Sequence, residues 1–397
     1  MPARSYRAGD FMLAAARMGL NLTVASDGAL PVGGLPVIPV HPGDPDRAAE
    51  RIASLSGPVE AVIAADAPML PLAASVAARL GLPHNPAEAI RAASDKTRQR
   101  RLWAAAGVAQ ARFEIVSANA SDDAVRQAAT ATGFPCVVKA VSLSASQGVL
   151  RADDAAQAVK AADRIRRVLS DVRRPAPEPV LVEEYLTGPE LSIDGLLDDD
   201  GLTPLAVFDK PATPDGPTFE ETLLVTPSRL PRHVIADAVR SAGHAAQALG
   251  LKTGPVHAEL RITRTGPAML ELAARSIGGL CSRALRFPGG KSLEELIIAS
   301  ALGDAIPAGG CEVWPPCGIF MLPVPRAGIL RAVEGRAAAE AVPGITGVTI
   351  TIPPGRRVRP LPEGDQYLGF IFAEAGTPED VEQALTTASR RLRPVID

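Results

Sequence analysis

The sequence predicts a chain of mixed class, α/β and α+β, long enough for two or three domains. Three observations predict it. Residues 1–93 alternate helix and strand patterns, the mark of a parallel sheet with helices on its faces. After residue 93 a basic helix, several strands and Pro-rich loops replace that alternation. Near residue 265, two apolar runs flank a Gly-Pro turn and read as an antiparallel hairpin with a glutamate on each arm.

The elements follow in order. Residues 11–20 read as a helix ending at Gly19, 22–25 as a strand, 48–55 as a helix, 61–65 as a buried strand and 72–80 as a helix stopped by Gly81. Such a unit normally opens with a strand. Either the domain lacks it or the true start lies upstream. Ser94 is expected to cap a basic helix that Gly107 stops. Residues 134–141 read as a strand ending near Lys139, and 142–148 as a loop of small polar residues. A helix over 153–168, a Pro-rich loop over 173–179 and strands over 180–186 and 191–197 come next. The loop 211–217 is long enough to move, and 233–250 is helical. Strands over 318–324, 347–352 and 367–373 lead to a helix with Thr377 as cap and Pro378 at its first position.

Composition narrows the function. A net charge of -3 without a basic cluster, and 4% aromatic residues, argue against nucleic-acid binding. No apolar stretch is long enough to span a membrane, and no signal peptide opens the sequence. The expected location is the cytoplasm. The cysteines 136, 281, 311 and 317 lack metal-site spacing, and free buried thiols are expected rather than a Cys311–Cys317 bridge.

Glu259 and Glu271 lie equally far from Thr265. In a symmetric hairpin they face each other, with Cβ atoms roughly 5 Å apart. Two facing carboxylates suit a hard dication such as Mg²⁺, which adds phosphate oxygens to its shell. Arg275 and Gly278-Gly279 follow, so nucleotide phosphate chemistry is indicated. Lys139, alone, reads as a solvated strand end. The Ser-rich loop closed by Gly148 makes it a phosphate contact, because small residues let backbone N–H groups approach oxygens.

The ordered series Asp95-Lys96, Gly133-Phe-Pro-x-Val-Val-Lys139, a Ser/Gly loop, Val182-Glu-Glu-Tyr, Gly188-Pro-Glu-x-Ser192 and His257-x-Glu259 to Glu271-x-Ala-Ala-Arg275-x-x-Gly-Gly279 resembles the ATP-grasp superfamily. The nearest subgroup resembles bacterial L-amino-acid ligases. The resemblance implies a Rossmann-like pre-ATP-grasp domain over 1–93 and a two-lobed ATP-grasp domain over 94–310. Its lid would be 94–186 and its metal- and substrate-binding lobe 187–310. A C-terminal α+β subdomain would occupy 311–397.

The resemblance also implies residue roles. Lys96, Lys139, Ser146 and Gly148 would hold ATP phosphates. Glu183 would meet the adenine amino group, the Tyr185 and Leu186 backbone the ring, and Glu190 the ribose. Glu259 and Glu271 would hold Mg²⁺, with Mn²⁺ as a substitute, and Arg275 would stabilise the transferred phosphate. His257 would orient the amine, a packed histidine being equally open, and Glu221 would contact an amino group. Ala273 stands where many family members carry Asn, and Ser142, Ser144 and Ser146 must replace missing loop glycines. Gly279 leaves room that an aromatic can fill in related ligases, which implies a bulky acceptor. The expected activity joins a small carboxylate and an amine, amino acids by this resemblance, through an acyl phosphate. Other ATP-grasp ligases of phosphoribosylamine-glycine or carboxylase type, and a non-catalytic ATP-binding module, stay open. So does a homodimer.

Overall fold

In the computed structural model, residues 1, 2, 5, 7–28, 37–55, 58–172, 177–211, 216–305 and 315–397 are described, and they form four sheets. The first part holds helix Ala8–Arg17, two parallel strands, Val24–Ser26 and Val37–Pro39, and helices Pro45–Leu55, Leu70–Arg79 and Ala87–Ala93. Residues 61–65, expected as a buried strand, pair with no strand among the described residues, 61–64 are only half-buried, and the run leads into the short 3-10 turn Ala67–Met69. A short apolar run does not by itself report pairing. The Ala65 carbonyl instead accepts from Arg7 Nη1 at 3.0 Å.

The basic helix is Lys96–Ala106, and its cap is Asp95, not Ser94. The Asp95 carboxylate accepts from the amides of Thr97 and Arg98. The Ser94 hydroxyl turns back to the Ile90 carbonyl at the end of the preceding helix. Gln99 on this helix donates to the Leu272 carbonyl and accepts from its amide, so its amide group stands in for a neighbouring strand.

A four-stranded antiparallel sheet runs Phe113–Val116, Val180–Glu184, Cys136–Ala140, Val149–Ala152. Helices Asp122–Thr132 and Ala155–Asp171 share its core through Val125, Ala129, Ala158, Ala162 and Ile165. The large sheet runs Gly266–Ala273, Gly254–Thr263, Glu190–Asp198, Gly201–Asp209, Leu223–Thr226, Cys317–Leu322, Gly369–Glu374, Ile345–Ile350. Strands from beyond residue 310 thus continue the sheet that carries the hairpin. Helix Arg232–Ala248 packs on the hairpin with Ala238, Ala242, Ala245 and Ala246, small enough for close approach to Leu260, Met269 and Leu272. Thr377 caps helix Pro378–Ser389 as expected.

The hairpin register decides the site. Glu259 pairs with Glu271, as the spacing predicts. The turn, however, lies at residues 264–265, since Thr263 pairs with Gly266. A bulge reconciles the two: Leu260 pairs with Met269, so Leu270 is the extra residue. The Leu270 carbonyl accepts from Arg100 Nη2 at 2.6 Å.

The C-terminal region also reaches the four-stranded sheet. The Gly148 amide donates to the Pro362 carbonyl, and Arg164 holds Glu363 with two bonds of 2.6 and 2.9 Å. No helix among the described residues is long and apolar enough to cross a membrane.

Candidate active site

A cavity of about 340 Å³ opens between the two larger sheets. Its walls include Lys96, Lys139, Ser146, Glu183, Tyr185, Leu186, Glu190, Glu221, His257, Glu259, Glu271, Arg275 and Gly279. Of the residues singled out in the sequence for phosphate contact, Gly148 and Ser142 do not line the cavity. The Gly148 amide faces Pro362, and a Cβ there would sit 2.9 Å from that of Ala140. With φ at +65° it shapes the loop rather than facing the cavity. Ala145 and Ser146 also take positive φ, turning the loop toward the cavity. The Ser142 hydroxyl donates to Glu178 at 2.5 Å and is absent from the walls.

On the four-stranded sheet, Lys139 meets Glu183 at 2.6 Å, and Arg100 donates to the same carboxylate. Burial alone would raise the Glu183 carboxyl, but Arg100 and Lys139 outweigh it and hold it at about 2. Glu183 therefore stays ionised and fixes Lys139. Lys96 Nζ donates to the Leu143 carbonyl at 2.7 Å and to Glu271 at 3.1 Å. The Tyr185 ring lies beneath two guanidinium groups, those of Arg151 at 4.9 Å and Arg261 at 5.2 Å. Arg261 also donates to the Leu186 carbonyl at 2.6 Å and to Glu190 at 2.9 and 3.0 Å.

On the large sheet, Lys210 is the residue the sequence reading missed. Its ammonium lies 2.5 Å from Glu221, 3.0 Å from Glu190 and 3.5 Å from Glu259. One oxygen from each of these carboxylates falls within 4.8 Å of the others, a spacing that suits a cation. The cation among them is Lys210. Burial would lower it, but Glu221, Glu259 and Glu190 hold it well above the ordinary lysine range. Glu221 is pushed up to about 7 by burial and by the Glu259 charge, against the pull of Lys210. Lys210 and His257 overcome burial to hold Glu259 well below the carboxylate range. The signal was present: Lys210 directly follows an apolar strand and precedes a loop, much as Lys139 lies one residue from the end of its own.

His257 sits between Asp194, at 3.0 Å from Nδ1, and Glu259, at 3.3 Å from Nε2. Burial alone would lower its pKa, but the two acids hold it up at about 9. Asp194, fully buried and paired with His257 in the sheet register, also accepts from the Ile277 amide at 2.6 Å.

The room expected beside Gly279 is filled. A Cβ there would come within 2.7 Å of the Phe370 ring, which is supplied by the Gly369–Glu374 strand. That ring is buried behind Gly279 and does not itself line the cavity. Cys136, Cys281 and Cys317 are free and buried, as expected, while Cys311 and most of the 211–217 loop lie outside the described residues.

Residues 132–284 match the ATP-grasp domain family, and residues 320–397 match L-amino acid ligase C-terminal domain 2. Alanine–anticapsin ligase of Bacillus subtilis is 29% identical over 217 residues, covering 50% of this chain and 45% of that protein. Carnosine synthase 1 of Gallus gallus is 28% identical over 284 residues, 66% of this chain and 30% of its own. The chain thus spans less than half the length of these relatives. The L-amino acid ligase structure from Bacillus licheniformis superposes with a TM-score of 0.80 over 100% of this chain and 98% of that one, at 22% identity. That likeness establishes the fold.

Proposed function

This chain is an ATP-grasp protein that ends in an L-amino acid ligase C-terminal domain, and on that premise we propose that it is an ATP-dependent carboxylate–amine ligase forming an amide bond, with amino acids as substrates. The carrying observation is the facing pair Glu259 and Glu271 in one cavity with Lys96, Lys139 and Arg275. The domain division is proposed as 1–93, 94–310 and 311–397, with one sheet continuing across the last boundary.

The donor set fits Mg²⁺: two carboxylates on adjacent strands, both lining the cavity, offer hard oxygens. When bound, the ion supplies charge neutralisation to the β- and γ-phosphates. The chain's own residues do the rest. Lys96 and Lys139 hold phosphate oxygens, with Ser146 from the loop. Glu183 fixes Lys139 and borders the adenine pocket with Tyr185 and Leu186. Glu190 takes the ribose. Glu221 contacts the amino group, and His257, held by Asp194, sets the direction of Glu259. Arg275 neutralises charge on the transferred phosphoryl group and on the tetrahedral oxygen.

In the reaction a substrate carboxylate oxygen bonds to the γ-phosphorus as ADP leaves. The amine nitrogen then bonds to the acyl carbon, loses a proton, and the C–O bond to phosphate breaks. No protein nucleophile takes part. The proposal is tested by phosphate release over a panel of amino-acid pairs. Release that needs two amino acids is expected. Release with bicarbonate alone would return the carboxylase-type reading, and ATP binding without any release would return the binding module.

A further inference from the structure

We propose that Arg7 is a positioning residue for Arg275, acting through Ser276; this rests on the role given to Arg275 above. Arg7 precedes the Ala8–Arg17 helix and is 2% exposed. Its Nη2 donates to the Ser276 hydroxyl at 2.7 Å and its Nη1 to the Ala65 carbonyl at 3.0 Å. Both acceptors border the cavity without lining it. Asp66, Ala67 and Pro68 follow Ala65 and do line it, and Arg275 and Ile277 flank Ser276 and do as well. One guanidinium therefore joins two walls from behind.

The turn after Arg275 is held at each step. Arg275 Nη1 donates to the Ser276 carbonyl at 2.8 Å. Arg7 holds the Ser276 hydroxyl, and Asp194 holds the Ile277 amide. Two buried charged side chains thus fix two successive residues. Arg7 lies 5.6 Å from the Phe11 ring, but its charge is incompletely matched. Among the described residues its nearest carboxylate, Glu294, is 3.8 Å away and its Nε has no hydrogen-bond partner. An incompletely matched buried charge is weaker support than a packed apolar residue. The planar fork, however, reaches two acceptors in a fixed geometry, which a lysine cannot reproduce.

The test uses the full chain and an amino-acid pair active with the unmodified protein. Ser276→Ala removes the hydroxyl without touching a cavity wall. We expect kcat to fall about 10- to 100-fold, the scale of a small misplacement at a reacting centre, with KM for ATP unchanged. Arg7→Lys should give the same split. The double variant should be no worse than the weaker single, and in an Arg275→Lys background Ser276→Ala should change nothing further. An unchanged kcat for Ser276→Ala, or additive losses, would overturn the proposal even if Arg7→Lys fails to fold. An unmodified chain silent with every pair takes down the ligase reading and this proposal with it. An active chain with an unaffected Ser276→Ala variant takes down this proposal alone.

Discussion

Lys139 and Lys210 occupy similar positions and meet opposite surroundings. Each lies within one residue of the end of an apolar strand and lines the cavity. Lys139 shares one carboxylate, Glu183, with Arg100. Lys210 is shared by three carboxylates, Glu190, Glu221 and Glu259. The four-stranded sheet therefore keeps positive charge in excess, and the large sheet keeps negative charge in excess. Phosphates belong against the first, and a dication or an ammonium against the second. The contrast teaches that a lysine's role is set by how many acids surround it rather than by its place on a strand.

The largest expected effect breaks the negative side. Glu271→Gln should lower ATP turnover by more than about 100-fold while the circular dichroism spectrum is kept, since on the proposed function the dication that would neutralise phosphate charge loses a carboxylate ligand. Near-normal turnover with Mg²⁺ would remove the basis of the metal assignment. Lys210→Met comes next. It leaves Glu221 without its cation, while Glu190 keeps Arg261 and Glu259 keeps His257, and urea melts should show a loss of about 3–5 kcal/mol, partly recovered by adding Glu221→Gln. Stability equal to the parent would mean the carboxylates are not held by Lys210.

Acid titration sharpens the positive side. Glu183 has a folded value of about 2 against an ordinary 4.5. Its contribution is complete above the ordinary value and is lost as pH falls toward 2, an amount of about 3 kcal/mol. The stability curves of the parent and Glu183→Gln should converge as pH drops through this window. Curves that stay parallel would exclude Glu183 as the acid-sensitive group. The smallest effect is on nucleotide grip. Lys139→Ala should raise KM for ATP by the loss of a charge-assisted contact of about 1.5–3 kcal/mol. An unchanged ATP dependence would leave Lys139 as a structural partner of Glu183.

What could be read in the sequence was local. The hairpin, the order of strands and helices, the Thr377 cap and the facing glutamates follow from spacing over a few residues. The errors were also local conflicts. Asp95 competed with Ser94 for the cap and won because its carboxylate reaches two amides. The 61–65 run carried the hydrophobicity of a strand without a neighbour to pair with among the described residues. The rest depends on contacts between distant segments. Arg7 meets Ser276 across 269 positions, and Phe370 fills the space beside Gly279 from the far end of the chain. No short-range pattern encodes either contact. Asp194 left a fainter trace, an acid inside an otherwise apolar strand.

The extra residue at Leu270 sets a parity rule for this hairpin. Counting evenly from the turn, Glu259 would pair with Leu270, and Glu271 would point to the opposite face of the sheet. One unpaired residue moves Glu271 back across from Glu259, and Arg100 occupies the carbonyl that the irregularity frees. Changes in turn length are then of two kinds. Adding two residues at 264–265 preserves the count and leaves both carboxylates facing the cavity. With the two-residue turn kept, adding one reverses the count and separates them without altering a single chemical group in the site, whereas deleting Leu270 removes the bulge and leaves Glu259 opposite Glu271.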